Sequence, residues 1–528
     1  AFATWMAYKI VDGWRPEWRL WLDFGVGTAA AMQLDALKST HPIRAEVHNA
    51  DEATESFDLI TYEKGGAVLR MIEGFLSAEK FREGIRGYMK EFGQKNAVAD
   101  DLWNALSKAS GQPVVELANA WIRREGFPII SVKRDGTKLQ LSQRRFFSEP
   151  GVQGEGVWPV PMVIRFKDST GVKEQRHLLR NASEELTLNA SGDIRWLVAN
   201  ADSSGFYRVS YDAAGLTALG NSLQELGPSE RVSLLADNWA QVRSGMRSLG
   251  DFLSLAEKFQ GERDYAVLNE LVGRFSAIEH RLLDEKDRGA FEKLIEKLFG
   301  SQLDAVGWGS DKDPDELKLQ RAALLRAVGL LARRKTTATE AARRLDESWT
   351  GNQGMLEANL HGTAVSLAAR DGDSKRFDAF LSKHKAEQDP SFRRRYLMAL
   401  ASFEAPELAK RAIELAFTDT VPAQDFSTYV ASLLSNRTAR EPAWKLVQER
   451  WNDVLQKTGN APMILRRVIE SFGLLPDRSH FHSVKGFLTT HHVEALKAGI
   501  AQTLERMEQD VALRDRAMPE LSSWLRAR

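Results

Sequence analysis

The hydrophobic residues of this 528-residue chain change their spacing twice, and this change limits the folds that are open to it. From Phe2 to about Arg124 they recur at the three- and four-residue intervals of amphipathic helices. After Gly126-Phe127-Pro128 they alternate with polar residues, as in short strands, and from about Asp212 to Arg528 the helical spacing returns. Because Pro128 lacks a backbone donor and restricts Phe127 to extended conformations, the sequence predicts a domain boundary here.

The spacing therefore predicts a mostly α chain with a small β domain. We expect a helical domain over residues 1–126, a β-sandwich over 127–211 and a helical-repeat domain over 212–528. Turn signals at Asp135-Gly136 and Thr170-Gly171 separate the strand-like runs and favour the sandwich. Successive helix pairs without intervening strands favour an irregular α-solenoid of the HEAT or armadillo type over a compact bundle.

Composition excludes several classes of function. The chain has no cysteine, which rules out a disulfide framework, a thiolate metal site and a cysteine nucleophile. Lys plus Arg and Asp plus Glu both number 72, so net charge favours neither nucleic acid nor an anionic membrane as a partner. No apolar stretch reaches the roughly 18 residues of a membrane span. The sequence does not fix the compartment, although a cytoplasmic location is slightly favoured over export.

Two motifs resemble ligand-binding patterns, but the residues around them favour structural roles. Residues Gly25 to Ala30 fit the dinucleotide pattern G-x-G-x-x-A, but no buried strand precedes them, which favours glycines at a helix bend. A second group could supply zinc ligands. Histidines two residues apart diverge on a helix, however, and loop histidines are usually solvated or capping, so no metal site is predicted here. The residues of this second group are His480, His482, His491, His492 and Glu494.

The segment from Phe57 to Gly66 is more informative. A helix that carries Tyr62 one turn ahead of the paired Gly65 and Gly66 allows a backbone or a ligand to approach closely. A phenol can donate a hydrogen bond to a developing oxyanion. On the residues alone, a core tyrosine with a satisfied hydroxyl is the favoured alternative.

This segment resembles the F-D-x-I-x-Y-x-K-G-A segment of the zinc aminopeptidases related to aminopeptidase N and the puromycin-sensitive aminopeptidase. The resemblance extends along most of the chain. Three residues depart from the family pattern, namely Ala1 at a Gly or Ser position, Arg124 at a glutamine and Ala439 at a glycine. Other matching segments include Phe2-Ala3-Thr4-Trp5, Ser39-Thr40-His41-Pro42-Ile43, Gly126-Phe127-Pro128, Trp158-Pro159-Val160-Pro161, Gly205-Phe206-Tyr207-Arg208-Val209, Gln424-Asp425, and Asn436 with Arg440 and Trp444.

The resemblance implies a zinc enzyme that removes the N-terminal residue of peptides, with water activated by the metal. In the family, the two histidines of H-E-x-x-H and a later glutamate bind the zinc. This chain contains no H-E-x-x-H, and the alignment places the glutamate immediately before Ala1. We therefore expect all the ligands upstream of Ala1, zinc only in the complete enzyme, and no activity from the 528-residue chain alone.

By the same resemblance, Tyr62 donates to the oxyanion of the tetrahedral intermediate, and the solenoid caps the active site. Arg440 is expected to face the internal cavity and meet the far carboxylate of the peptide, with a structural ion pair as its alternative. The expected partners are the peptide substrate and the N-terminal part of the same protein. The rival hypothesis is a non-catalytic helical-repeat module that binds a protein or peptide through its concave face.

Overall fold

The computed structural model describes residues 1–310, 312–459 and 461–528 of the chain. The chain divides into two compact units, Ala1–Arg247 and Ser248–Arg528. Helices dominate both units, and all the described strands lie in the first, which confirms a mostly α chain with small β sheets.

Helices fill the first unit up to the predicted boundary. The last of them ends at Ile122, as the sequence predicts from Gly126-Phe127-Pro128. Gly25 lies inside the second helix, which confirms that its motif is not a strand-to-helix turn. These helices are α1 (Phe2–Trp14), α2 (Leu20–Asp35), α3 (Ala50–Glu55), α4 (Gly65–Leu76), α5 (Ala78–Phe92), α6 (Ala99–Ser110) and α7 (Val114–Ile122).

Two sheets follow α7. Their strands are β1 (Pro128–Asp135), β2 (Lys138–Arg145), β3 (Val160–Asp168), β4 (Gly171–Leu179), β5 (Ser183–Thr187), β6 (Trp196–Val198) and β7 (Arg208–Tyr211). One sheet has the order β5-β2-β1-β7 and the other the order β4-β3-β6. Only β1 and β7 pair in parallel among the described strands. Both predicted turns are confirmed, because Asp135 pairs with Lys138 and Asp168 with Gly171 at the ends of two hairpins.

A large hydrophobic core connects the helices and the sheets of the first unit. Trp121 of α7 and Trp158, which precedes β3, are fully buried, with ring centroids 6.3 Å apart. The Trp121 indole N–H donates to the carbonyl of Pro159 at 2.9 Å. After the strands, α8 (Ala213–Gly220) begins at the N-cap Asp212, and α9 (Pro228–Arg243) packs Ala240 into the same core.

The second unit has no strand among its described residues. Its buried residues include aromatic clusters, one of which places Phe275 6.3 Å from Phe291. Its helices are α10 (Leu249–Glu257), α11 (Tyr265–Arg281), α12 (Arg288–Val306), α13 (Asp315–Arg326), α14 (Lys335–Trp349), α15 (Ala358–Arg370), α16 (Ser374–Ala386), α17 (Pro390–Leu400), α18 (Pro406–Leu415), α19 (Ala423–Ser435), α20 (Arg440–Glu449), α21 (Trp451–Lys457), α22 (Pro462–Ser471), α23 (Arg478–Thr490) and α24 (Lys497–Arg526).

Within the described ranges, none of the helices combines the length and the apolar character that crossing a membrane requires.

Candidate active site

Tyr62 lies in a π-helical turn, Ile60–Lys64, that leads directly into α4. Its side chain is 42% exposed. The Phe57 ring lies beside it, at 6.3 Å between centroids, and the hydroxyl has no hydrogen-bond partner among the described residues. The alternative of a core tyrosine with a satisfied hydroxyl is therefore wrong. A partly exposed phenol without a partner can donate a hydrogen bond to a ligand.

The paired glycines after this turn allow the close backbone approach that the sequence predicts. A Cβ atom on Gly65 would lie 2.6 Å from the Cβ and 3.5 Å from the Cα of Ala1. One on Gly66 would lie 3.4 Å from the Phe24 ring. Only glycine admits such contact at Gly65, so the start of α4 packs directly against the start of α1.

The end of the Tyr62 turn is anchored by a buried ion pair. Lys64 Nζ lies 2.7 Å from Asp35 Oδ2, and neither side chain is exposed. Lys64 also donates to the carbonyl of Gly126 at 3.0 Å, and Asp35 Oδ1 accepts from the Gly126 amide at 2.9 Å and from the Thr40 hydroxyl at 2.8 Å. Burial lowers the pKa of Lys64, and the adjacent Asp35 carboxylate opposes that shift.

The start of the turn is held by Asp58, whose side chain accepts from the amides of Ile60 and Thr61 and lies 2.7 Å from His41. The sequence reasoning did not identify Asp35, His41, Asp58 or Lys64 as parts of the site. His41, Asp58 and Lys64 lie inside the segments that carry the family resemblance, which is the one signal that could have found them.

Arg440 lies in the second unit, at the start of α20. Its Nε donates to the carbonyl of Leu434 at 2.9 Å, and one Nη donates to Ser435 at 3.4 Å, so the guanidinium caps the C-terminal end of α19. The same Nη lies 3.3 Å from His280 Nδ1. Arg440 forms no ion pair with a described residue. Its structural contact is therefore the cap of α19 and not the ion pair given as the alternative.

His280 is neutral in this arrangement. Its Nε2 lies 2.8 Å from the carbonyl of Leu474 and must donate to it, which leaves Nδ1 as the acceptor for Arg440. Burial and then the Arg440 charge lower the pKa of His280 to about 4.

The histidine-rich group of the second unit is dispersed. On α23, His480 is buried and His482 is exposed, which confirms that histidines two residues apart diverge. His480 lies between Glu441, at 2.6 Å, and Asp477, at 2.9 Å. His492 contacts Glu494 at 2.5 Å, and His491 stacks on Phe487 at 4.2 Å. Across the described ranges, no group of three or more His, Cys, Asp or Glu side chains could hold a metal ion.

Two family models match the chain. The model of the peptidase family M1 domain matches residues 1–121, and that of the ERAP1-like C-terminal domain matches residues 196–509. The first match includes the Tyr62 turn, and the second includes Arg440.

Curated relatives match nearly the whole chain. Aminopeptidase M1-D of Oryza sativa subsp. japonica is 30% identical over 531 residues, covering 96% of this chain and 59% of the relative. Aminopeptidase M1 of Arabidopsis thaliana is 29% identical, with the same two coverages. The alanine/arginine aminopeptidase of Saccharomyces cerevisiae is 29% identical over 92% of this chain and 58% of its own length. The chain thus spans less than two thirds of the length of these relatives.

Proposed function

The chain belongs to peptidase family M1, and we propose that it is the C-terminal portion of a zinc-dependent aminopeptidase that hydrolyses the N-terminal residue of peptides. Support comes from the two family matches and from relatives that are named aminopeptidases. The substrate is a peptide with a free N-terminus, and the N-terminal part of the same protein is the second partner.

The family is one of zinc metallopeptidases, and zinc in such sites activates water. The described residues of this chain do not offer a fitting set of ligands, because no three of their metal-binding side chains converge. We therefore assign the zinc ligands to sequence outside this chain and derive no step of the reaction through the metal.

Tyr62 is proposed to donate its hydroxyl proton in a hydrogen bond to the oxyanion of the tetrahedral intermediate. The observation that carries this role is a partly exposed tyrosine whose hydroxyl has no described partner, on a turn anchored at both ends. A donor held in place before the reaction stabilises the charge of the transition state more than that of the ground state. Its contribution should therefore appear in kcat.

Four further proposals concern architecture and binding. The first is that the two sheets pack as the predicted β-sandwich. The second is that the chain has three domains, over residues 1–126, 127–211 and 212–528. We also propose that the helices of the second unit form the predicted irregular α-solenoid. Arg440 meets the far carboxylate of the peptide through its second Nη, which has no described partner.

The test of the proposed function is Tyr62→Phe in the complete enzyme, which keeps the ring and deletes the donor. We expect kcat to fall by roughly 10² to 10³, as when other oxyanion donors are removed, with bound zinc unchanged. The matched control is Tyr88→Phe, which alters a partly buried tyrosine of the same unit that packs against Phe92. A Tyr62→Phe enzyme with the kcat of the control would remove Tyr62 from the reaction.

A further inference from the structure

Asp58 holds the first turn of the helix that carries Tyr62. Its Oδ1 accepts from the backbone N–H of Ile60 at 2.9 Å and from that of Thr61 at 3.2 Å. Its main-chain carbonyl accepts from the N–H of Tyr62 at 3.2 Å. The Asp58 side chain is 6% exposed, so this cap is shielded from water. Three consecutive amides, including that of Tyr62, therefore depend on the position of one residue.

The Asp58 carboxylate is in turn held by His41. His41 Nε2 lies 2.7 Å from Asp58 Oδ2, and Nδ1 lies 2.9 Å from the carbonyl of Pro42. A carbonyl and an ionised carboxylate can only accept hydrogen bonds, so both ring nitrogens must carry a proton. The contacts of His41 are thus those of an imidazolium, and the hydrogen bond to Asp58 raises its pKa above the ordinary value of 6.5.

We propose that His41 is a positioning residue for Tyr62, acting through Asp58 to fix the turn that carries the phenol. The proposal rests on the proposed function, since it concerns the placement of a donor for the reaction. It goes beyond that function because His41 touches neither the phenol nor, by this assignment, the substrate. It also makes the placement of Tyr62 depend on the protonation of a histidine.

The charged groups that act on His41 are Asp58 and, more weakly, Asp35, which is already paired with Lys64. Both favour the imidazolium. As the pH rises through the raised pKa of His41, the ring loses one proton and can no longer donate to both Pro42 and Asp58. Asp58 then loses a charged partner, and the Tyr62 turn is held less firmly. We therefore expect kcat to decrease as the pH rises through the pKa of His41.

The first experiment compares the complete enzyme with its His41→Gln variant, which keeps an amide donor and cannot titrate. At each pH, the kcat of the unaltered enzyme is divided by the kcat of the variant. The titration of groups that both enzymes share cancels in this ratio. We expect a ratio of roughly tenfold at low pH, by analogy with other outer partners that orient a reactive group. It should fall toward one as the pH passes the pKa of His41. A ratio that does not change with pH overturns the proposal.

The second experiment places His41→Gln in the Tyr62→Phe background. If His41 acts through the phenol, the second change costs less than twofold in kcat once the phenol is gone. An equal loss in both backgrounds overturns the positioning role while leaving the role of Tyr62 intact. A Tyr62→Phe enzyme with normal kcat contradicts the proposed role of Tyr62 instead, so the two failures can be told apart.

His177→Gln is the matched control. His177 Nε2 lies 2.9 Å from Glu184, which accepts from the backbone amides of Arg180 and Asn181, so the pair repeats the His41 arrangement on a turn of the sheet region. The ratio of the kcat of the unaltered enzyme to that of His177→Gln should be one at every pH. Should His41→Gln fail to fold, hydrogen exchange of Ile60 and Thr61 in the unaltered enzyme replaces it. Protection of these amides should decrease as the pH passes the pKa of His41, and constant protection overturns the proposal.

Discussion

Lys64 Nζ and Asp35 Oδ2 lie 2.7 Å apart with both side chains fully buried, which makes this ion pair the internal anchor of the Tyr62 turn. The charges are compensated, since Lys64 also donates to the carbonyl of Gly126 and Asp35 accepts from Thr40 and from the Gly126 amide. Removing one partner would leave an uncompensated charge in a low-dielectric interior, whereas removing both would not.

Lys64→Met should therefore lower the free energy of unfolding of the first unit by about 3 to 5 kcal/mol. The double variant Asp35→Asn with Lys64→Met should recover part of that loss, because neither charge remains. Urea unfolding measures both. Lys138→Met is the control, since Lys138 and Glu185 form a pair of similar length on the surface. If Lys64→Met lowers the free energy of unfolding no more than Lys138→Met does, the buried pair is not an anchor.

Arg440→Ala should raise KM more for short peptides with a free carboxyl group than for the same peptides with that group amidated. The comparison uses the complete enzyme and both substrate series. Arg437→Ala is the control, because the Arg437 guanidinium is occupied by Glu279 and Glu285. Equal effects on both series, together with lost stability, would assign Arg440 to capping α19 alone.

The second unit should lose stability in mild acid because of His280. Its pKa of about 4 in the folded chain lies below the ordinary 6.5, so the unfolded chain binds the proton first as the pH falls. The stabilisation is fully present above pH 6.5, and about 2 kcal/mol of it should be lost by pH 5.

Urea unfolding at pH 7 and pH 5 measures this loss, and His280→Asn should reduce it. Asparagine can place an acceptor near the position of Nδ1 for Arg440 and does not titrate. His361 should keep an acid dependence of similar size in both proteins, because burial lowers its pKa to about 4 as well. His482→Asn, on an exposed face of α23, should leave the loss unchanged. An identical loss in wild type and His280→Asn would contradict this assignment.

The 528-residue chain alone should retain no stoichiometric zinc after dialysis and should not turn over aminoacyl chromogenic substrates. The reason is the absence of H-E-x-x-H from the sequence and of a converging ligand group from its described residues. Elemental analysis and a rate assay on the same preparation check both statements. About one tightly bound zinc per chain, or activity that resists removal of contaminants, would contradict them.

Local patterns predicted the parts of the fold that depend on local chemistry. The end of α7 follows from Gly126-Phe127-Pro128, and the first hairpin follows from Asp135-Gly136. Strand β4 shows no alternation of apolar and polar residues that could predict it, because its centre is the polar run Lys173 to Arg176 on an edge strand that buries few residues. Strand β7 is equally hard to predict, because it has four residues and buries Arg208, which pairs with Asp237 of α9.

For the candidate site, Tyr62 was found through the resemblance, and residues alone favoured a core position that the structure does not show. Its exposure depends on which neighbours cover the helix, and helical spacing cannot specify them. The pairing of Asp35 with Lys64 is equally invisible to local patterns, because the two residues meet only when α2 and the Tyr62 turn pack together. His41 and Asp58 meet in the same way.

Gly126 contributes its carbonyl to Lys64 and its amide to Asp35, so the peptide backbone just before β1 completes the anchor of the Tyr62 turn. A chimaera made by joining residues 1–126 of this protein to the strands of a relative would inherit both charges. Whether the anchor re-forms would depend on the path that the grafted strands impose on Gly126. Recombination of such proteins at this junction therefore exchanges part of the scaffold that holds the Tyr62 turn.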